Sequence, residues 1–550
     1  MGVPAGSLMD NYRAIYQEIS GEILARWGDE YTDTLFSGGM TFSDGGKLVE
    51  DKMLNALVEQ GGFVVAFTGK YSPRNSVTAG HDCLFEQSYP IVLNATMARL
   101  FSVTGVRFEA INVAMGNTRA APYSFCLDAH AGIHADIISW EMAMEVVDRV
   151  CGPAAEVIEL FVRSASVLPR RPAVLVMNAQ PDHKYCGKNR LTSMQNRGFV
   201  GNCKDAPPEN NLMSAYAAFG LHTMFINELV TMNTCEDERF SHNSLYGIGK
   251  HYPKPMSWHP GPRAHQLVAD LLFMHYAHVF LSALERLETV SPGATAQQLR
   301  DETEAGKATL LAAAGVNNSQ EVSGDGSEFM GTGRGTMLPD PKWCKGWLFC
   351  ENAGNYRCSN TYYPLGGTEG SRLLDMVSER TPVLNADLNE VTVEPAEDHW
   401  AVTLNEEKKV FFNYLKVPDP EGMHKPIDMK WVLVGNRISG PIEFEFETKG
   451  VVGKNSTEGG DGARAMENSR VVVCKPDFID RVELTDTDGV RYKIDGEETS
   501  VFKKLGQRYL KSNSCVILAA QIGMGRHTLS IESLSTGRHL VCISHVIYPA

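Results

Sequence analysis

Gly61-Gly62-Phe63-Val64-Val65-Ala66-Phe67-Thr68-Gly69 decides how the first half of this chain folds. Phe63 to Phe67 is a short, unbroken apolar run with β-branched residues, closed at each end by glycine. A half-buried strand alternates apolar and polar residues, so an unbroken run of this length reads as a strand covered on both faces, as in a parallel sheet. Upstream, Leu48, Met53, Leu54, Leu57 and Val58 recur at helical spacing, and Gly61-Gly62 stops that helix after Glu59.

Outward from this unit the alternation continues. The pattern predicts a helix over 89–103, strands over 107–113 and 136–140, a helix over 154–165, a strand over 173–177 and a long helix over about 263–287. Such alternation predicts βαβ units: an α/β domain whose parallel sheet carries helices on both sides. Residues 290–340 hold one helical pattern, 296–314, and then Ser323-Gly324-Asp325-Gly326-Ser327 and Gly331-Thr332-Gly333-Arg334-Gly335, the composition of a linker. Past Lys342 the texture changes to short alternating runs such as Trp400-Ala401-Val402-Thr403-Leu404, Val410-Phe411-Phe412-Asn413-Tyr414-Leu415 and Ile442-Glu443-Phe444-Glu445-Phe446-Glu447, which predict a β-sandwich. The expected organisation is a helical extension over 1–46, an α/β domain over 47–289, a linker over 290–340 and a β-sandwich over 341–550.

Composition narrows the function. At 43% hydrophobic and 21% charged residues, the 550-residue chain has the balance of a folded protein with large cores. Its net charge of −15, from 66 acidic against 51 basic residues, removes the electrostatic reason to expect nucleic acid and suits a small-molecule or sugar-like substrate. No run of eighteen apolar residues is present, so no membrane span is expected, and Met1 to Arg26 lacks the basic-then-apolar pattern of a leader. Twelve cysteines, with Cys344, Cys350 and Cys358 close together, suit disulfides in an oxidising compartment, which favours the secretory lumen or the cell exterior; buried free thiols are the alternative. Glycosylation sequons stand at Asn94, Asn317 and Asn455.

Three stretches carry candidate chemistry. Asn75-Ser76-Val77-Thr78-Ala79-Gly80-His81-Asp82 follows the first strand and places a small nucleophile at the C-terminal edge of a parallel sheet, where open α/β sheets bind ligands. A helix beginning near Phe85 would add main-chain N–H groups able to stabilise an oxyanion. Asn112-Val113-Ala114-Met115-Gly116-Asn117-Thr118 ends the second strand; Gly116 lets a main-chain N–H approach a substrate oxygen, and Asn117 adds a side-chain amide donor. Ser257-Trp258-His259-Pro260-Gly261-Pro262 precedes the long helix, and its prolines hold His259 out on a stiff loop, where an imidazole can take and return a proton. His265, one turn into that helix, reads as packing or capping.

These blocks, in this order, resemble those of the SGNH (GDSL-like) serine hydrolases over roughly residues 47–287. The resemblance implies a three-layer αβα, flavodoxin-like fold, Ser76 as nucleophile, Gly116 in the oxyanion hole, His259 as base, and neither cofactor nor metal. The chain departs from the family pattern in three places. Lys70 to Asn75 is inserted before Ser76, the asparagine of the third block is absent where Glu141-Met142-Ala143-Met144-Glu145 stands, and Met256 replaces the acid three residues before His259. Glu141 or the Met256 carbonyl is then left to orient the imidazole.

The expected activity is a serine esterase or O-acyl hydrolase, with acylated carbohydrate as substrate class by fold-level analogy. A catalytically degenerate protein that binds glycan or protein through its β-sandwich, and an O-acyltransferase, stay open as alternatives. Two other patterns read blandly. His183, Cys186, Cys203 and His222 match no compact zinc spacing, and 213–229 carries apolar residues at helical spacing, which reads as a core helix.

Overall fold

The computed structural model describes residues 6–31, 40–41, 45–71, 88–116, 124, 126–132, 134–141, 153–178, 212–226, 237–245, 261–316, 342, 344, 356–360, 372–384, 399–404, 431–448, 470–475, 484, 489–505, 515–534 and 541–549. The chain forms two compact units. The first comprises Met1–Gly116, His134–Ile158 and Ala165–Trp343; the second comprises Asn117–Ile133, Glu159–Ser164 and Cys344–Ala550.

In chain order the elements begin α1 (Leu8–Trp27), β1 (Met40–Thr41), α2 (Gly45–Glu59), β2 (Gly62–Phe67), β3 (Lys70–Tyr71), α3 (Tyr89–Ser102), β4 (Arg107–Asn112) and β5 (Met115–Gly116). They continue through α4 (Leu127–Ala131), β6 (Ile137–Trp140), α5 (Pro153–Ser166), β7 (Ala173–Asn178), α6 (Leu212–Ala218), β8 (His222–Phe225), α7 (Pro262–Val290), α8 (Ala296–Asp301) and α9 (Glu304–Ala313). The main sheet runs β1-β8-β7-β6-β2-β4. Its five parallel strands, counted among themselves along the chain, stand in the order 2-1-3-4-5, the flavodoxin-like arrangement. Only β1 is antiparallel, pairing with the outer side of β8.

The deciding stretch behaves as its sequence requires. Phe63, Val65 and Phe67 of β2 join a core with Leu54, Leu57 and Val58 of α2, Leu93, Met97 and Phe101 of α3, and Leu272, Tyr276 and Phe280 of α7. Val64 and Ala66, on the opposite face, are buried as well, so β2 is covered on both sides. Helix α7 is long and apolar enough by length and composition to cross a membrane, the one such helix among the described residues, and most of its apolar window is buried in this fold. Helix α1 belongs to the same core, and Trp27 Nε1 ties it to α7 by donating to Asp270 Oδ2 at 2.8 Å.

Two predicted elements differ. The helix expected over 213–229 is α6 followed by the fifth parallel strand, β8. Gly220 adopts φ +57°, which ends the helix, and Leu221 to Met224 are then buried as a strand beside β7. Periodicity does not separate a buried strand from a helix segment when both are apolar throughout. The helix expected over 296–314 is two helices: Thr295 and Gln298 form a capping box on α8, and Thr303 restarts the chain as the N-cap of α9.

The second unit contains β9 (Tyr356–Asn360), β10 (Val383–Leu384), β11 (Trp400–Leu404), β12 (Trp431–Gly435), β13 (Ile442–Thr448), β14 (Arg470–Cys474), β15 (Val490–Ile494) and β16 (Glu497–Thr499). It ends with β17 (Val501–Leu505), β18 (Cys515–Gln521), β19 (Gly525–Ser533), β20 (Val541–Ile543) and β21 (His545–Pro549). Three largely antiparallel sheets, β10-β11-β12-β20, β13-β19-β15-β16 and β17-β18-β14-β21-β9, share one core. In β13 the apolar half of the alternation, Ile442, Phe444 and Phe446, faces that core, while Glu443, Glu445 and Glu447 face outward. Strands β20 and β21 lie in different sheets though only Ser544 separates them, so the chain crosses between layers there. The β-sandwich reading thus takes the form of a three-sheet β-rich domain.

Disulfides join Cys126 to Cys358 and Cys474 to Cys515, and Cys344 is also disulfide-bonded. Cys358, grouped by sequence with Cys344 and Cys350, is therefore bonded to a cysteine 232 positions away. Of the sequons, Asn94 is committed to the fold: its Oδ1 accepts from the Ala110 main-chain N–H at 2.8 Å, pinning α3 to β4. Asn317 and Asn455 lie outside the described residues.

Candidate active site

In a sheet of this order, ligands sit beyond the C-terminal strand ends where connections diverge to opposite faces, here between β2 and β6. The residues at those ends form a buried polar network. The Thr68 hydroxyl donates to the Ser139 carbonyl, and the Ser139 hydroxyl donates back to the Thr68 carbonyl at 3.3 Å, locking β2 to β6 where their ladder ends. At the end of β4, Asn112 Nδ2 donates to Ser88 Oγ at 3.2 Å and its Oδ1 accepts from Ala114 N at 3.1 Å, which steers the chain into β5.

Ser88 is the N-cap of α3, and Tyr89 opens that helix. The Tyr89 ring meets Phe67 edge-on with centroids 5.3 Å apart, and its hydroxyl donates to Glu141 Oε2 at 2.7 Å. Glu141, the first residue past β6, is only 4% exposed. Burial, reinforced by the Glu141 charge, lifts the Tyr89 phenol well above its usual pKa, so it stays protonated as a donor. The Tyr89 main-chain N–H donates to His265 Nδ1 at 3.3 Å, and the His265 ring stacks on Tyr89. His265 therefore packs and accepts, as its place in the helix suggested.

Phe85, near which a helix is expected to begin, lies outside the described residues. Helix α3 begins at Tyr89, and its first amides are already engaged. Tyr89 N–H bonds His265, Pro90 has no N–H, and the Ile91 and Val92 N–H groups both donate to the Ser88 carbonyl. No amide of that first turn is left to stabilise an oxyanion.

Of the sequence candidates, Ser76, His259 and Asn117 lie outside the described residues, as does Met256. Gly116 ends β5, and β5 pairs in parallel with β3, Met115 opposite Lys70 and Gly116 opposite Tyr71. The insertion before Ser76 thus begins as a strand laid along the Gly116 segment. Glu141 is at the rim of the sheet and bonded to Tyr89. Of the four residues weighed for a metal, His222 faces His275 of α7, with Nε2 atoms 2.8 Å apart, and the other three lie outside the described residues.

Sequence reasoning missed Tyr89, Thr68 and Ser139. A tyrosine at a helix start and hydroxyls at strand ends carry no signal in one dimension, because their role comes from neighbours that only the sheet supplies.

The first unit is thus a flavodoxin-like α/β domain with a buried hydroxyl–carboxylate–imidazole network at its switch point, and a β-rich unit accompanies it. No family model and no curated protein matches the chain. Among solved structures, the chain is similar to a two-domain esterase (CEX) active on acetylated mannans. A second structure of that esterase was co-crystallised with mannopentaose; each alignment has a TM-score of 0.40 and 12% identity, covering 94% of this chain and 98% of that one.

Proposed function

We propose that the chain is a serine esterase acting on an acylated carbohydrate, with Ser76 as nucleophile, His259 as general base, the Gly116 main-chain N–H and the Asn117 amide as oxyanion donors, and Glu141 as the carboxylate that orients His259. Residues 47–289 are then the catalytic domain, preceded by the helical extension 1–46, and 341–550, past the linker 290–340, is the domain that recognises the carbohydrate.

The observation that carries the reading is the convergence of the flanking segments on one rim. Tyr71, five positions before Ser76, runs beside Gly116. Gly261, two positions after His259, caps α7, whose His265 bonds Tyr89, whose hydroxyl in turn bonds Glu141. These bonds set the segment before Ser76 beside Gly116 and tie the segment after His259 to Tyr89 and Glu141, which supports a nucleophile next to an oxyanion donor and a base next to its orienting carboxylate.

In this mechanism Ser76 Oγ attacks the ester carbonyl while His259 takes its proton. The carbonyl oxygen becomes anionic against Gly116 and Asn117, the C–O bond breaks, and the sugar alcohol leaves with the proton from His259. Water, activated by the same imidazole, then releases the acid from Ser76. Replacing the family's missing third-block asparagine with nothing comparable would cost on the order of a hundredfold in rate, so a slow enzyme is expected.

A serine-directed fluorophosphonate probe tests the assignment. Labelling is expected for the wild type and absent in Ser76→Ala; labelling that persists in the variant overturns the nucleophile. Hydrolysis of p-nitrophenyl acetate and of acetylated polysaccharides, acetylated mannan among them, should fall at least about a thousandfold in Ser76→Ala. Wild-type turnover no higher than the variant's would leave a carbohydrate-binding protein without catalysis.

A further inference from the structure

We infer that a second chemical site lies in the second unit: once the Cys126–Cys358 disulfide is reduced, the two sulfurs and the imidazoles of His130 and His545 form a Cys2His2 site for a divalent ion of the zinc type. One locus would then hold either a disulfide or a metal.

Two ligands come from one helical turn. Cys126 is the N-cap of α4 and His130 stands four positions on, a spacing that puts both side chains on one face. The other two come from one strand pair. Strands β9 and β21 are antiparallel, with Asn360 opposite His545 and Cys358 opposite Ile547, so Cys358 and His545 project from the same face of the sheet. The disulfide holds α4 against β9, and the His130 and His545 rings meet edge to face with centroids 5.7 Å apart. The Cys126 sulfur and one nitrogen from each imidazole lie within 4.8 Å of one another, and the three residues are buried. His545 Nδ1 lies 2.8 Å from Ser544 Oγ, which fixes the ring; Nε2 would then be the nitrogen that binds, the arrangement that orients metal-bound histidines.

The donor set selects the ion. Two thiolates with two imidazoles suit a closed tetrahedral site for a d10 cation, with sulfur about 2.3 Å and nitrogen about 2.0 Å from the metal. Two thiolates also cancel the dication's charge, which a buried position requires. The ligands are scattered through the chain in no compact motif, so the sequence gives no hint of the set.

The chemistry balances with one named co-reactant. A dithiol reductant attacks one sulfur of the Cys126–Cys358 bond, the S–S bond breaks, two electrons and two protons pass to the cysteines, and the reductant leaves as its own disulfide. The two thiols then bind the ion as thiolates and release two protons, while the imidazoles bind as neutral lone-pair donors.

The test uses the full chain reduced with a phosphine under inert gas, with Co2+ as the spectroscopic probe. The expected result is uptake of one Co2+ per chain with thiolate-to-cobalt charge transfer and tetrahedral d–d bands, displaced by Zn2+, and no uptake without reduction. Cys126→Ser and Cys358→Ser should abolish these bands, and His130→Ala or His545→Ala should weaken binding by about tenfold or more. Cys474→Ser, at the Cys474–Cys515 disulfide, should leave them intact. A reduced chain that keeps its circular-dichroism spectrum but takes up no cobalt overturns the site, as does a cobalt spectrum indifferent to both histidine substitutions. If reduction alone unfolds the chain, metal present before the reductant must preserve the fold; unfolding there too counts against the site.

Discussion

At the scale of single residues, the informative pair is Tyr89 and Glu141. Removing the Tyr89 hydroxyl leaves a buried carboxylate oxygen without its donor while the ring keeps its contact with Phe67. Tyr89→Phe is expected to lower the stability of the first unit by about 1–3 kcal/mol in urea unfolding. If Glu141 orients His259, losing this bond should also lower the esterase rate. A Tyr89→Phe enzyme of normal activity would take Glu141 out of the mechanism. Gly435 offers a second residue-level test. A Cβ there would enter the ring of the fully buried Trp400, whose Nε1 is fixed on the Gly440 carbonyl at 3.0 Å and cannot swing away cheaply. Gly435→Ala should destabilise the second unit by about 1–3 kcal/mol, read from its unfolding midpoint.

At the scale of elements, the contact between β8 and α7 is titratable. His222 and His275 share one hydrogen bond between their Nε2 atoms, so one ring must donate and the other accept, which needs at least one neutral imidazole. Burial pulls His222 from its usual 6.5 to about 4; burial and the neighbouring His222 and His278 push His275 well down. A histidine depressed in the fold binds fewer protons folded than unfolded. The stability it contributes is complete above about pH 6.5 and is lost as pH falls through about 4. The His222 shift alone corresponds to about 3 kcal/mol. Urea unfolding between pH 7 and pH 4 should show a loss of at least that size in the wild type. His222→Leu/His275→Leu should be correspondingly less acid-sensitive, and equal slopes for the two proteins would refute the assignment.

At the scale of the whole molecule, the Cys126–Cys358 bond closes a loop of 232 residues and fastens an early segment of the chain to the β-rich unit. Under oxidising conditions, where the disulfide is intact, breaking it with Cys126→Ser/Cys358→Ser should cost about 3–5 kcal/mol by loop-closure entropy, seen as a lower thermal midpoint of the second unit. An unchanged midpoint would mean that the segment is held by packing alone.

The sequence by itself determined the type and order of most elements, because burial on both faces of β2 requires an unbroken apolar run, and an amphipathic strand such as β13 requires alternation. It also determined that Gly116 follows the end of β4 and that His265 packs, though not that Met115 and Gly116 form a further short strand. It did not determine β8, since an apolar stretch fits helix and buried strand equally until Gly220 breaks the backbone. Nor did it determine that Tyr89 binds Glu141, that His265 uses up an amide of α3, or that Cys358 bonds Cys126 instead of a nearby cysteine. Each of those depends on which surfaces meet across the sheet or between distant segments, and periodicity records only the burial of a residue, never the identity of the partner that buries it.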